Sequence, residues 1–160
     1  MFAVGEKVVH PMHGAGTIEA ITQECLAGET EQYYVFRMPS DALTLKIPTG
    51  NSGVVGLRRL LSRERMEELL KKLPTLDAEM VGNWNCRYRD NLAKLKSGDI
   101  LELARVIKGL AQRELSRGLS TGERKMLQNA KRVLLSELAF VKELPYEAAE
   151  KLLQKAMMGN

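Results

Sequence analysis

Cysteine is scarce in this chain. Cys25 and Cys86 are the only two among 160 residues, and they stand far apart with no CxxC pair. Such usage suits a reducing cytoplasm and two small, buried or half-buried thiols. Long apolar runs are missing as well: none approaches the roughly 20 residues that a helical membrane span requires. The opening Met1-Phe2-Ala3-Val4-Gly5-Glu6 has neither the basic stretch nor the apolar run of a signal peptide, so a cytoplasmic protein is expected. Histidine is limited to His10 and His13. Their HxxH spacing falls in a Pro/Gly turn with no helix to align the rings and no nearby Cys. Turn residues, and no metal, are the expectation there. No Gly-rich phosphate loop, Ser/His/Asp set or pair of catalytic carboxylates can be assembled, so neither an enzyme nor a cofactor is expected. Internal repeats and low-complexity tracts are absent too.

Charge is plentiful but unevenly placed. The formal net charge is only +4, with 44% hydrophobic and 28% charged residues, an ordinary globular composition. Residues 1–50 carry 3 Lys/Arg against 6 Asp/Glu, whereas residues 82–132 carry 12 against 5. A polyanion is the first partner to consider for the basic segment; a solvated helical surface would have the same composition.

Two hydrophobic periods divide the chain. In the first fifty residues, Val8-Val9 leads into His10-Pro11-Met12-His13-Gly14-Ala15-Gly16, a tight connection. A strand through Ile18, Ala20 and Ile21 ends near Leu26, and Ala27-Gly28-Glu29-Thr30 forms a hairpin turn. Tyr34, Phe36 and Met38 alternate with Tyr33, Val35 and Arg37. After Pro39-Ser40-Asp41, Leu43, Leu45 and Ile47 alternate with Thr44 and Lys46. Period 2 with one apolar face predicts a half-buried antiparallel sheet, and several short strands imply a small barrel of SH3 or Tudor type.

The remainder reads as helix. Ser62 caps a segment that runs to about Leu73 and ends at Pro74. A second runs from Glu79 or Trp84 to Lys96. Asp99 and Glu102 have N-cap and N3 spacing ahead of a stripe of Ile100, Leu103, Ile107, Leu110 and Ala111, and Gly118 suits the position after its end. Ser120-Thr121-Gly122-Glu123 is a capping box that opens a helix bearing Leu127, Ala130, Leu134, Leu138 and Val141. Pro145 starts a last helix with Ala149, Leu152, Leu153 and Ala156 on one face. Five amphipathic helices make a compact bundle. The fold class is therefore α+β, a β-barrel over residues 1–54 followed by an all-α unit over residues 55–160.

The basic region opens with Asn83-Trp84-Asn85-Cys86-Arg87-Tyr88-Arg89-Asp90-Asn91, which holds the only Trp. On a helix Trp84, Tyr88, Leu92 and Leu95 share one face, with Arg87, Asn91 and Lys94 on a neighbouring one. Trp84 is then either a core anchor or a protruding ring that stacks on bases while its Arg and Asn neighbours grip the backbone.

Five motifs carry a resemblance. Val4-Gly5-Glu6-x-Val8-Val9-x-Pro11-x-His13-Gly14, Leu43-Thr44-x-x-Ile47-Pro48, Asn83-Trp84-x-x-Arg87-Tyr88-x-x-Asn91-Leu92, Leu95-x-Ser97-Gly98-Asp99 and Arg117-Gly118-Leu119-Ser120-x-Gly122-Glu123 resemble, in this order, the bacterial CarD family. The match runs from residue 2 to about residue 142. It implies a transcription regulator whose Tudor-like domain, similar to the polymerase-interacting module of transcription-repair coupling factors, binds the RNA polymerase β subunit. The edge formed by Leu43, Thr44, Leu45, Lys46, Ile47 and Pro48 would add a strand to β. The resemblance also implies that Trp84 wedges into the minor groove at the upstream edge of the transcription bubble. Arg87, Arg89 and Lys94, with Arg124, Lys125, Lys131 and Arg132, would grip phosphates. Two positions depart from the family pattern: His10 stands where members often have Tyr, and Glu24 where some have an Arg that helps bind polymerase.

The expected partners are thus the β subunit and promoter DNA, read with little sequence specificity, for a monomer held at the nucleoid through polymerase. Two other readings remain open: a polymerase-independent DNA-binding or nucleoid-associated protein, and a protein-interaction adaptor with Trp84 in its core.

Overall fold

A computed structural model describes residues 2–38, 44–51, 57–78, 80 and 82–158. The expected turn at Pro39-Ser40-Asp41, Leu43, the helix start at Glu79 and the 54/55 boundary lie outside them.

Among the described residues the N-terminal half is one antiparallel sheet of five strands: β1 (Lys7–His10), β2 (Gly14–Leu26), β3 (Glu29–Arg37), β4 (Thr44–Pro48) and β5 (Arg58–Arg59). Their order is β4-β3-β2-β1-β5, so the first three are consecutive neighbours and the last two form opposite edges. Ala27 and Gly28 join β2 to β3 with φ of 54° and 83°. Two consecutive positive φ values match the right-handed twist of a two-residue hairpin. The register slips between Ile18 and Ala20, and this bulge bends the long β2 around the core. Side-chain alternation is as expected: Val8, Ile18, Tyr34, Phe36, Met38, Ile47 and Leu57 are buried together.

The sheet takes β5 from residues beyond 54, since Arg58 and Arg59 pair with Val9 and Val8. A two-residue strand has no period to read. Cys25 near the hairpin tip is exposed, contrary to the expected burial, and Cys86 is intermediate.

Among the described residues five α-helices follow: α1 (Arg63–Lys72), α2 (Trp84–Lys96), α3 (Ile100–Ser116), α4 (Thr121–Lys142) and α5 (Tyr146–Met157). Each of the first four opens on an oxygen-bearing cap whose side chain accepts a backbone N–H: Ser62, Asn83, Asp99 and Ser120. Pro145 is the residue just before α5. Gly118, at φ +81°, ends α3 and donates its N–H to Arg113 O. The longest helix, α4, lies at the centre. Its buried Met126, Leu127, Ala130, Val133, Leu134, Leu135 and Leu138 share a core with residues of α1, α3 and α5.

This core also reaches into the sheet. Val8 points into the barrel, while its neighbour Val9, with Ala15, packs among the helices, as alternation along a strand requires. Ser136 Oγ of α4 accepts the Ala15 N–H at 2.9 Å and donates to Val133 O at 2.7 Å. Gly14 is necessary there, because a Cβ would stand 2.5 Å from Ser136 Oγ. Glu137, with no exposed surface, takes a double contact from the Arg58 guanidinium and the Leu61 N–H at 2.9 Å. Sheet and bundle are thereby joined through buried, directional contacts.

Candidate nucleic-acid and partner interfaces

Trp84 is the first residue of α2. By helical phase it belongs with the buried Arg87, Asn91 and Leu95, but it stands at the first position of the helix, against the start of α4. Trp84 is 43% exposed, which decides between the two sequence readings in favour of a surface residue. It stacks on Tyr88 one turn later, with centroids 5.2 Å apart and planes 21° from parallel. Its Nε1–H donates to Ser120 Oγ, the cap of α4, at 2.9 Å. The N-termini of α2 and α4 therefore meet at the indole. Each helix start carries partial positive charge from its unpaired N–H groups, and Arg124 and Lys125, both exposed, stand in the first turns of α4. Lys131 and Arg132 follow on the same face, about 10 Å further along at 1.5 Å per residue. Arg124, Lys125 and Arg132 are exposed and Lys131 is half-buried, Arg124 lying 3.9 Å from Glu114, and a surface with this excess of cations attracts a polyanion.

At the other end of the molecule, β4 is an edge strand, paired only with β3 among the described residues. Ile47 is buried and Leu45 and Pro48 are partly so, while Thr44 and Lys46 are exposed. Lys46 Nζ reaches across the sheet face to Glu24 on β2. Its hydrogen bond and charge contact with Glu24 raise the Lys46 pKa above the ordinary lysine value. The acid at position 24 therefore partly compensates the cation that the edge presents.

Residues 2–61 match the family model described as CarD-like/TRCF RID domain, and residues 68–154 match the CarD C-terminal domain. The chain belongs to the CarD family. It is similar to a Bacillus subtilis (strain 168) protein named "Putative transcription factor YdeB", 35% identical over 142 residues that cover 89% of this chain and 93% of that relative.

Not every residue that the CarD resemblance marked lies at these surfaces. Arg87, expected to grip DNA, is 9% exposed and turned inward. Its Nη1 donates to Gly82 O at 3.1 Å and its Nε stands 3.7 Å from Glu123 Oε2. Asn91, expected on the same outer face, is 2% exposed. The face that reads as polar in the sequence is the one that α2 packs against the bundle, because Glu123 of α4 supplies a buried counter-charge for Arg87. Arg89 is exposed but lies about 140° around α2 from Trp84 at 3.6 residues per turn. Lys94 is half-buried some 15 Å along the helix, in a cleft of about 200 Å³ shared with Asp77, Met80, Asn91 and Arg105.

Two contributions escaped the sequence reading. Ser120 and Glu123 are legible as a capping box, yet the Glu123 carboxylate accepts the Ser120 hydroxyl at 3.3 Å and faces Arg87. A Gly at the second position of the helix, where it weakens helix formation, is the one local sign that something packs there: Gly122 adjoins the Trp84 and Tyr88 rings. Lys108 counts toward the basic segment but is buried, donating to Pro74 O at 2.9 Å and Leu76 O at 2.8 Å.

Proposed function

We propose that this CarD-family chain is a cytoplasmic transcription regulator that joins RNA polymerase to promoter DNA and stabilises the open complex without catalysing a reaction. The observation that carries the proposal is the exposed Trp84, held where the N-termini of α2 and α4 meet, on a helix pair whose α4 also bears the exposed Arg124 and Lys125 in its first turns. A flat apolar surface bordered by positive charge suits a partly unstacked base step flanked by phosphates. Base–aromatic stacking of roughly 1–3 kcal/mol would shift a melting equilibrium about 5- to 150-fold, a regulatory range that requires no chemistry.

Targeting comes from the other end. Phosphate contacts carry little sequence information, so the protein needs polymerase to bring it to promoters. The β4 edge, Thr44–Pro48, which pairs only with β3 among the described residues, offers its other edge to a strand of the β subunit. Its RID-type domain and a relative named as a transcription factor support this assignment. The protein acts as a monomer, with Arg124, Lys125, Lys131 and Arg132 along the phosphate backbone and Trp84 at the upstream bubble edge.

Photo-crosslinkers at positions 46 and 84 test the arrangement. In a polymerase–promoter complex, position 46 should label the β subunit and position 84 the upstream edge of the bubble. Labelling of bare duplex from position 84, equally strong without polymerase, would instead mark a nucleoid-type binder.

A further inference from the structure

We infer that Ser120, Glu123 and Arg87 are positioning residues that seat Trp84, and that the indole N–H is committed to this seat, so the ring meets its partner through carbon alone. A serine hydroxyl has one donor and two acceptor sites, and all three are engaged here. Ser120 Oγ accepts Trp84 Nε1–H at 2.9 Å and the Glu123 backbone N–H at 3.2 Å, and it donates to Glu123 Oε1 at 3.3 Å. Glu123 is 2% exposed, so its carboxylate has little water with which to exchange this bond. The Arg87 guanidinium faces it at 3.7 Å and is itself tied to Gly82 O, two residues before Trp84. The contacts close a circuit from Gly82 through Arg87, Glu123 and Ser120 back to the indole. Tyr88 supports one ring face. The two motifs Asn83–Asn91 and Arg117–Glu123, separate in sequence, form one device.

The circuit also bears on what the ring can read. Nitrogen is the only heteroatom of an indole, and its hydrogen is taken. The minor-groove floor offers acceptors on A·T pairs, but Trp84 could bond one only by releasing Ser120. The ring therefore responds to how readily a base step unstacks, not to which acceptor it presents. This second part rests on the DNA reading proposed above, whereas the seat does not.

The free, full-length protein tests the seat, because Trp84 is its single Trp. In the ¹⁵N spectrum the one indole N–H should exchange with solvent about 3- to 10-fold more slowly than that of a free indole. Ser120→Gly keeps a tolerated N-cap but no hydroxyl. It should remove that protection and shorten the slow component of Trp fluorescence anisotropy, at an unchanged helix content. Ser120→Thr should restore both. An indole that exchanges like a free one in the wild type, or retained protection in Ser120→Gly, overturns the seat.

For the DNA part, the upstream bubble-edge A·T step of a promoter fragment carries 3-deazaadenine in place of adenine, removing the N3 acceptor, or 2-thiothymine in place of thymine, replacing the O2 acceptor. Stabilisation of the melted complex by the wild-type protein should persist within about twofold; a larger loss shows the N–H bonding to the base and overturns the inference. A wild-type protein with no effect on melting contradicts the proposed function alone, and the exchange measurement still decides the seat.

Discussion

Burial, and secondarily the charge of His13, lowers the His10 pKa from 6.5 to about 4. The ring also accepts the Met12 N–H at Nδ1, at 3.0 Å, which requires the neutral form. The unfolded chain therefore binds a proton at His10 more readily than the folded one. Folding stability should fall as pH drops from about 6.5 to about 4, and this contribution should be flat above that range. His10→Tyr removes the titration; chemical denaturation at several pH values should show a shallower acid-side loss than the wild type. An identical slope in both proteins would contradict this assignment. Single residues were also where the sequence was least legible. Arg87 reads as a free cation because its counter-charge, Glu123, lies 36 positions away, and no periodicity links the two. Trp84 reads on helical spacing as a core anchor, since its phase puts it on the buried side, yet at the first position of its helix it is exposed.

The elements themselves were largely legible. Ser62, Asp99 and Ser120 mark helix starts by chemistry that acts within three residues, so no tertiary information is needed to find them. The alternation from Tyr33 to Met38 fixes which side of β3 faces inward for the same reason. What the sequence does not disclose is how segments cross. Ala78 and Met80 pass over α3 at Gly109, where a Cβ would stand 2.7 Å from Ala78 O and would overlap the Met80 side chain. Beside it, Lys108 holds the same segment through Pro74 O and Leu76 O. In a free helix Gly109→Ala would gain about 1 kcal/mol of propensity. Here overpacking should reverse the sign and cost about 1–3 kcal/mol. Thermal melting measures it, and a higher midpoint in the variant would show that the segment yields instead.

Over the whole molecule, the joint between sheet and bundle determines whether the β4 edge and Trp84 are held at a fixed separation. Glu137 is its centre, a fully buried carboxylate that binds Arg58 next to the sheet's last strand pairing and the Leu61 N–H. Glu137→Ala leaves a guanidinium and an N–H without this partner and should cost about 3–5 kcal/mol. The wild type should unfold in one transition by Trp emission and by far-UV circular dichroism alike. Separated transitions in the wild type would mean that the joint does not couple the two parts. A rigid joint lets binding at one end place the other, and the regulatory account depends on that placement. Its most direct test is the lifetime of a competitor-challenged open complex with wild-type protein and with Trp84→Ala. Binding to polymerase should be equal for both, while the variant should lose the added lifetime, by a factor of about 5 to 150. An open complex stabilised equally by Trp84→Ala would contradict the account.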